Sequence, residues 1–254
     1  MSKGKKLIIG NWKMNPASLE KALRLAKEIS KYSKYSRGKT EIVICPPFVF
    51  LSAISKKIKK AKLGAQDVHF ETNNTAQTGE ISPLMLKNLG VKYVIVGHSE
   101  RRMLGETNEI VRKKIGACLK HAITPIVCVG ESKRDESGNY LSFVRTQLEE
   151  IFSSIPKTAL PKILIAYEPI WAIGKSAMRE ATPAESNEMA IFIKKVLSDL
   201  YDPKAVGSLR ILYGGSVNIK NAGEFMKDGG VDGLLVGRDS LDPDNFKEII
   251  KSVN

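Results

Sequence analysis

The chain has 254 residues, 43% of them hydrophobic and 26% charged, with a formal net charge of +13. That length fits one α/β barrel, for which about 250 residues is typical, and the absence of any long apolar stretch excludes a transmembrane span and argues against extended disorder. The lysines gather at Lys31 to Lys39, Lys56 to Lys62 and Lys113 to Lys120; each cluster reads as a solvated helix face, so the charge predicts no nucleic-acid partner but a weak attraction for anionic small molecules.

Eight apolar runs recur along the chain: Leu7 to Gly10, Ile42 to Cys45, Leu63 to Ala65, Tyr93 to Val96, Ile126 to Val129, Ile163 to Tyr167, Ile211 to Tyr213 and Leu234 to Val236. Between them lie stretches with helical spacing, such as Leu19, Ala22, Leu23, Ala26 and Ile29, or Met189, Ile193, Val196, Leu197 and Leu200. Alternating strand and helix implies parallel strands with right-handed crossovers, and eight units fit a closed (β/α)8 barrel better than an open sheet. No Gly/Ser/Pro-rich linker interrupts the chain, and residues 1–254 are expected to form a single domain. The apolar run after the basic start Met1 to Lys6 stops at Gly10-Asn11, too short for the centre of a signal peptide, so a cytoplasmic location is expected. Cys45, Cys118 and Cys128 lack metal-type spacing and read as small buried hydrophobes.

In a barrel of this type the strand C-termini form the active face, so the polar residues just after each run carry the chemistry. These are Asn11 and Lys13 after the first run, His98, Ser99 and Glu100 after the fourth, and Glu168 after the sixth. Gly214, Gly215 and Ser216 follow the seventh run, and Gly237 and Arg238 the eighth. Glu168 ends its strand abruptly before Pro169, and a long, partly apolar loop separates it from Thr182-Pro183-Ala184-Glu185, which has the pattern of a capped helix start. A carboxylate in that position suits a base beneath a mobile lid. His98 precedes a helix start at Ser99-Glu100-Arg101-Arg102, whose positive end favours a neutral ring, whereas His69 and His121 read as structural hydrogen-bonders.

The glycines after the seventh and eighth runs suit a phosphate held by backbone N–H groups, although ordinary turns use glycine too. Gly174-Lys175-Ser176 has only the tail of a P-loop, since position 169 is proline, and no dinucleotide fingerprint is present. No cluster suggests a metal centre, so neither metal nor cofactor is expected. A base, a histidine donor, a fixed cation and a phosphate anchor suit proton transfer beside the carbonyl of a small sugar phosphate, which is isomerase or epimerase chemistry.

Six motifs in order, Gly10-Asn11-Trp12-Lys13-Met14-Asn15, Gly64-Ala65-Gln66, Val96-Gly97-His98-Ser99-Glu100-Arg101-Arg102, Cys128-Val129-Gly130-Glu131, Ala166-Tyr167-Glu168-Pro169-Ile170-Trp171-Ala172-Ile173-Gly174 and Tyr213-Gly214-Gly215-Ser216-Val217, resemble the triosephosphate isomerase family over essentially the whole chain. The resemblance implies cofactor-independent interconversion of dihydroxyacetone phosphate and glyceraldehyde 3-phosphate through an enediol(ate). It implies Glu168 as base, His98 as electrophile and proton shuttle, and Lys13 with Asn11 on the substrate oxygen. Ser99 and Glu100 become supporting partners, and Gly174, Ser216, Gly237 and the N–H of Arg238 hold the phosphate. The glutamate base, neutral histidine and water-excluding loop are this family's known tuning pattern. A homodimer is also implied, with Gln66 to Glu80 as an interdigitating loop and Thr78 reaching the partner's site.

Two stretches depart from the family pattern. The loop after Gly174 runs Lys175-Ser176-Ala177-Met178-Arg179-Glu180-Ala181-Thr182-Pro183, longer than usual and without a second glycine, yet it is expected to close because Trp171 to Gly174 is intact. After Val236, Gly237-Arg238-Asp239-Ser240 replaces the usual Gly-Gly-Ala-Ser. Arg238 is expected to turn outward and pair with Asp239, because a carboxylate facing a phosphate dianion would be unfavourable. The competing readings are another phosphate-binding barrel isomerase or epimerase, and a basic binding module without catalysis.

Overall fold

The computed structural model describes residues 4–36, 38–72, 75–174 and 177–254. Eight parallel strands close into a barrel in sequence order: β1 (Lys6–Asn11), β2 (Thr40–Cys45), β3 (Lys62–Ala65), β4 (Tyr93–Val96), β5 (Thr124–Val129), β6 (Leu164–Tyr167), β7 (Arg210–Tyr213) and β8 (Gly233–Val236). Closure is made by β1 against β8, with Ile8 opposite Leu234 and Gly10 opposite Val236. The (β/α)8 barrel expected from the alternating runs is therefore the fold. The strands start up to two residues before the apolar runs, at polar residues such as Lys6, Thr40 and Thr124, except that β6 begins one residue later, at Leu164.

The period-two alternation of a strand sorts the side chains into two layers. Leu7, Ile9, Val43, Cys45, Ile95, Ile126, Cys128, Leu164, Ala166, Leu212 and Leu235 pack inside the barrel. Ile8, Ile42, Ile44, Val94, Val96, Val127, Val129, Ile165, Tyr167, Ile211, Tyr213 and Val236 face the helices, as does Ile163 just before β6. All three cysteines are buried and free. Burial drives their thiols upward, Cys118 to about 12, so they behave as the small hydrophobes expected.

The helix Pro183–Leu200 begins as its sequence predicts: Thr182 caps it, Pro183 occupies the first turn, and Thr182 and Glu185 form a reciprocal capping box. The lysines of the three clusters are mostly exposed, as expected, with Lys114 the buried exception, but only the third cluster lies wholly on a helix. Lys56 to Lys60 lies beyond the helix Phe48–Ser55, in the turn leading to β3, and Lys62 opens that strand. In the first cluster Tyr32 is buried and Tyr35 packs on the core. In the third, Lys114 is buried and bonds Asp67 at 2.6 Å, with Glu106 2.9 Å away. Arg101 Nε also sits 3.0 Å from Asp67, so the start of the long segment after β3 is anchored by charge at two points to the connection between β4 and β5. No described helix is long and apolar enough to cross a membrane.

Candidate active site

A cavity of about 550 Å³ opens at the C-terminal ends of the strands. It is lined by Asn11, Lys13, His98, Glu100, Gly174, Gly214, Gly215, Ser216, Gly237 and Arg238, which brings together residues read separately from five segments of the sequence. Convergence follows from the barrel itself: parallel strands end at one rim, so each residue just past a strand faces the same mouth.

Each side chain is placed by a local device. Lys13 adopts φ = 52°, an uncommon conformation for a residue with a Cβ, and its backbone is held by Asn11 Oδ1 accepting from its N–H at 3.1 Å and Gln66 Nε2 donating to its carbonyl at 2.8 Å. Gln66 also donates to the Cys45 carbonyl, tying the ends of β1, β2 and β3. Lys13 Nζ then meets Glu100 Oε1 at 2.6 Å. Such strain is affordable only where the surroundings over-determine it.

Gly97, at φ = 72°, breaks the strand alternation and turns the chain into the short helix Ser99–Arg102. A Cβ there would come within 3.0 Å of Arg102 Nη2 and Val111 Cγ2, so glycine is required for space as well as for conformation. Arg102 Nε donates to the Gly97 carbonyl at 2.7 Å and locks the turn. His98 is itself the N-cap, with Nδ1 accepting from the Glu100 N–H at 3.2 Å. An acceptor Nδ1 leaves the ring proton on Nε2, the nitrogen 3.3 Å from Glu168 Oε1. The bond to Nδ1 fixes the orientation of the ring and aims Nε2 at Glu168.

Glu168 continues β6, its N–H donating to the Val129 carbonyl at 2.8 Å. Its carboxylate is buried, accepts from the Ser99 N–H at 3.0 Å, and does not line the cavity. Ser99 therefore touches the base through its backbone, while Glu100 joins Lys13 to His98. At the glycine end, Ser216 Oγ donates to the Ala172 carbonyl at 2.7 Å and Asn221 Nδ2 to the Ser216 carbonyl at 3.0 Å, which fixes the loop after β7. After β8 comes a short 3-10 helix, Arg238–Leu241.

Arg238 differs from expectation. Among the described residues it forms no ion pair, with Asp239 or with any other carboxylate. Partial burial raises the Asp239 carboxyl above the ordinary aspartate value, against the pull of Asn245 and Arg238. Arg238 is exposed at the cavity edge. Thr78 is also exposed and lies away from the cavity lining of its own chain. Lys175 and Ser176, which begin the lengthened half of the loop and complete the dismissed P-loop tail, lie outside the described residues, as do the first three residues of the basic N-terminus.

Glu131 carries a role that the sequence reading did not give it. Its Oε1 accepts from Tyr167 Oη at 2.8 Å and Trp171 Nε1 at 2.7 Å, pinning the start of the loop after Glu168. Burial pushes the Glu131 carboxyl above the usual glutamate range, opposed by these two donors. It directly follows Gly130 at the end of β5, so the strand-end rule that selects the other site residues selects it as well.

The sequence profile described as triosephosphate isomerase matches residues 6–253. Proteins named triosephosphate isomerase from Aquifex aeolicus and Dictyoglomus thermophilum are each 44% identical to the chain over 252 residues, covering 98% of it and 99% of the relative. One of the same name from a Thermoanaerobacter species is 43% identical over 248 residues, covering 96% of the chain and 98% of the relative.

Proposed function

Because the chain belongs to the triosephosphate isomerase family, we infer that it is an isomerase interconverting dihydroxyacetone phosphate and D-glyceraldehyde 3-phosphate, a step of glycolysis. The observation that carries this reading is the single cavity edge shared by Lys13, His98 and the glycine turns after β7 and β8, with Glu168 Oε1 3.3 Å from His98 Nε2.

The substrate phosphate sits against the N–H groups of Gly174, Gly237 and Arg238 and the Gly214 to Ser216 turn, where oriented donors suit a dianion. The carbonyl oxygen points to His98 Nε2–H and the Lys13 ammonium, with Asn11 supporting Lys13. Glu168 takes a proton from C1. The C–H electron pair becomes the C1–C2 double bond, and the carbonyl pair moves onto oxygen, where His98 and Lys13 stabilise the enediolate. His98 exchanges protons between the two oxygens, and Glu168 returns its proton to C2. The reaction moves protons and no net electrons. A lid formed by the loop from Trp171 to Thr182 excludes water during these steps.

Assembly as a homodimer and a cytoplasmic location belong to the same reading. Supporting the dimer, Met14, Val49, Met103 and Leu104 are at least three-quarters exposed on segments that follow β1, β2 and β4 at one end of the barrel. Large exposed apolar side chains gathered in this way suit a partner surface. The function is tested with purified protein in a coupled isomerase assay. Turnover by wild type that falls on the order of a thousandfold in Glu168→Gln, within the usual range for losing a general base, is expected. Equal inactivity of both would favour the binding-module reading.

A further inference from the structure

The lengthened loop after Gly174 carries an arginine that ties its two ends together. The Arg179 guanidinium lies 4.5 Å from the centroid of the Trp171 ring. Its Nη1 and Nη2 donate to the two carboxylate oxygens of Glu185 at 3.0 and 2.5 Å, and Nη1 also reaches the Glu180 carbonyl at 3.1 Å. The Met178 N–H donates to the Trp171 carbonyl at 2.9 Å. Trp171 is pinned to Glu131, and Glu185 caps the helix Pro183–Leu200 by accepting from the Thr182 N–H at 2.8 Å. One side chain thereby joins the start of the loop to the helix that follows it.

The same structure holds Glu168 withdrawn. Its carboxylate rests on the Ser99 N–H, its side chain is 3% exposed, and it does not face the cavity. A general base has to come within hydrogen-bond reach of the proton it takes, so the arrangement fixed by Arg179 is one in which the base is disengaged. Glu168 and Trp171 are three positions apart, and the ring of Pro169 stiffens the connection, so movement of the Trp171 segment is transmitted to the backbone that carries the carboxylate. The arginine fork suits this tether in a way lysine does not, since it pairs with both carboxylate oxygens while sitting over an aromatic ring. Arg179 is also 52% exposed, so its bonds are solvent-screened and breakable within a catalytic cycle.

We propose that Arg179 is a positioning residue for the isomerase reaction: with Trp171 and Glu185 it forms a latch that holds the loop at rest with Glu168 withdrawn, and the latch releases when substrate binds. This rests on the isomerase reading above. Weakening a resting state raises the fraction of binding-competent protein and so tightens apparent affinity, whereas general damage to the site weakens it.

The experiment uses the full chain labelled with 5-fluorotryptophan, which has two tryptophans, Trp12 and Trp171. Wild type, Arg179→Ala, Arg179→Lys and Glu185→Gln are followed by fluorine NMR during titration with glycerol 3-phosphate, an unreactive triose phosphate analogue, and assayed for turnover. Glu185→Gln keeps a cap on the helix while removing the charge. In Arg179→Ala and Glu185→Gln the Trp171 resonance is expected to shift toward its ligand-bound position before ligand is added. The Kd for glycerol 3-phosphate and the KM should fall about three- to fivefold, the scale of one screened ion pair, with KM changing more than kcat and Arg179→Lys intermediate. An unmoved Trp171 resonance, or a raised Kd in both charge-removing variants, overturns the latch. Absence of turnover in wild type would overturn the isomerase reading instead, and the fluorine signal of the ligand-free proteins would still judge the latch.

Discussion

The backbone N–H of Ser99 donates to Glu168 Oε2 at 3.0 Å, so the candidate base is held at rest by the residue that follows the candidate electrophile His98. The second oxygen, Oε1, lies 3.3 Å from His98 Nε2. Strand β6 and the turn after β4 thus meet at one carboxylate, and its reach from that meeting point determines how well it can serve the cavity.

Glu168→Asp tests that reach. The aspartate carboxylate ends one methylene earlier, more than about 1 Å short, and a misplacement of that size costs on the order of 100-fold in rate. We expect kcat to fall by about that factor in a coupled assay while KM stays within roughly threefold, because the phosphate contacts lie elsewhere. Near wild-type kcat in Glu168→Asp would remove Glu168 from the role of base.

The strand-end rule made much of the site readable from sequence, because in a parallel barrel topology alone brings Lys13, His98, Glu168, Ser216 and Gly237 to one rim. Glu131 was equally accessible to that rule at the fifth strand; its role depends on Trp171 and Tyr167, whose donors point to it only in three dimensions. Lys114 was misread for a different reason. It sits in a lysine run that looks solvated, and its partners are Asp67, from the connection after β3, and Glu106, from the loop before its own helix. The Arg179 pairing was not legible because it depends on the path of an irregular loop, and loops carry no periodicity from which to read a partner. Arg238 had an adjacent carboxylate, but next to each other on a short 3-10 helix the two side chains form no ion pair.

That placement of Arg238 gives a graded expectation. An exposed guanidinium at the cavity edge adds attraction for a phosphate dianion, and solvent screening limits the effect to about 0.2–1 kcal/mol. Arg238→Gly should therefore raise KM about two- to fivefold with kcat nearly unchanged, and the difference should shrink in concentrated salt. Steady-state kinetics at two ionic strengths measures this. A KM unaffected at low salt would mean that only the Arg238 backbone serves the phosphate.

Thr78 is exposed on its own chain, on the segment expected to enter a partner. Sedimentation equilibrium should give twice the 28.0 kDa chain mass for wild type. Thr78→Arg, which forces a long charged side chain into that contact, should weaken the dimer at least about tenfold, equivalent to roughly 1.4 kcal/mol. Activity should fall in parallel at low protein concentration. If Thr78→Arg sediments as wild type does, the segment 66–80 is not the principal contact.

The Arg179–Glu185 pair also leaves a signature in acid, independent of any lid motion. The Arg179 hydrogen bonds hold the Glu185 carboxyl down at about 2, against an ordinary 4.5, with Thr182 assisting and partial burial opposing. A carboxyl depressed in the folded protein stabilises it fully above its unfolded value, and that contribution is lost as the pH falls from about 4.5 toward 2. Denaturant unfolding followed from pH 5.5 down to 2.5 should show wild type losing stability more steeply than Glu185→Gln. The gap at pH 5.5 should be roughly 1 kcal/mol, the scale of a solvent-screened pair. Arg179→Ala should flatten the same part of the profile, because removing the cation lets the Glu185 carboxyl rise back toward its ordinary value. If wild type and Glu185→Gln lose stability in parallel over this range, Glu185 is not linked to folding through Arg179, and the tether seen between the loop and its following helix has no energetic weight in solution.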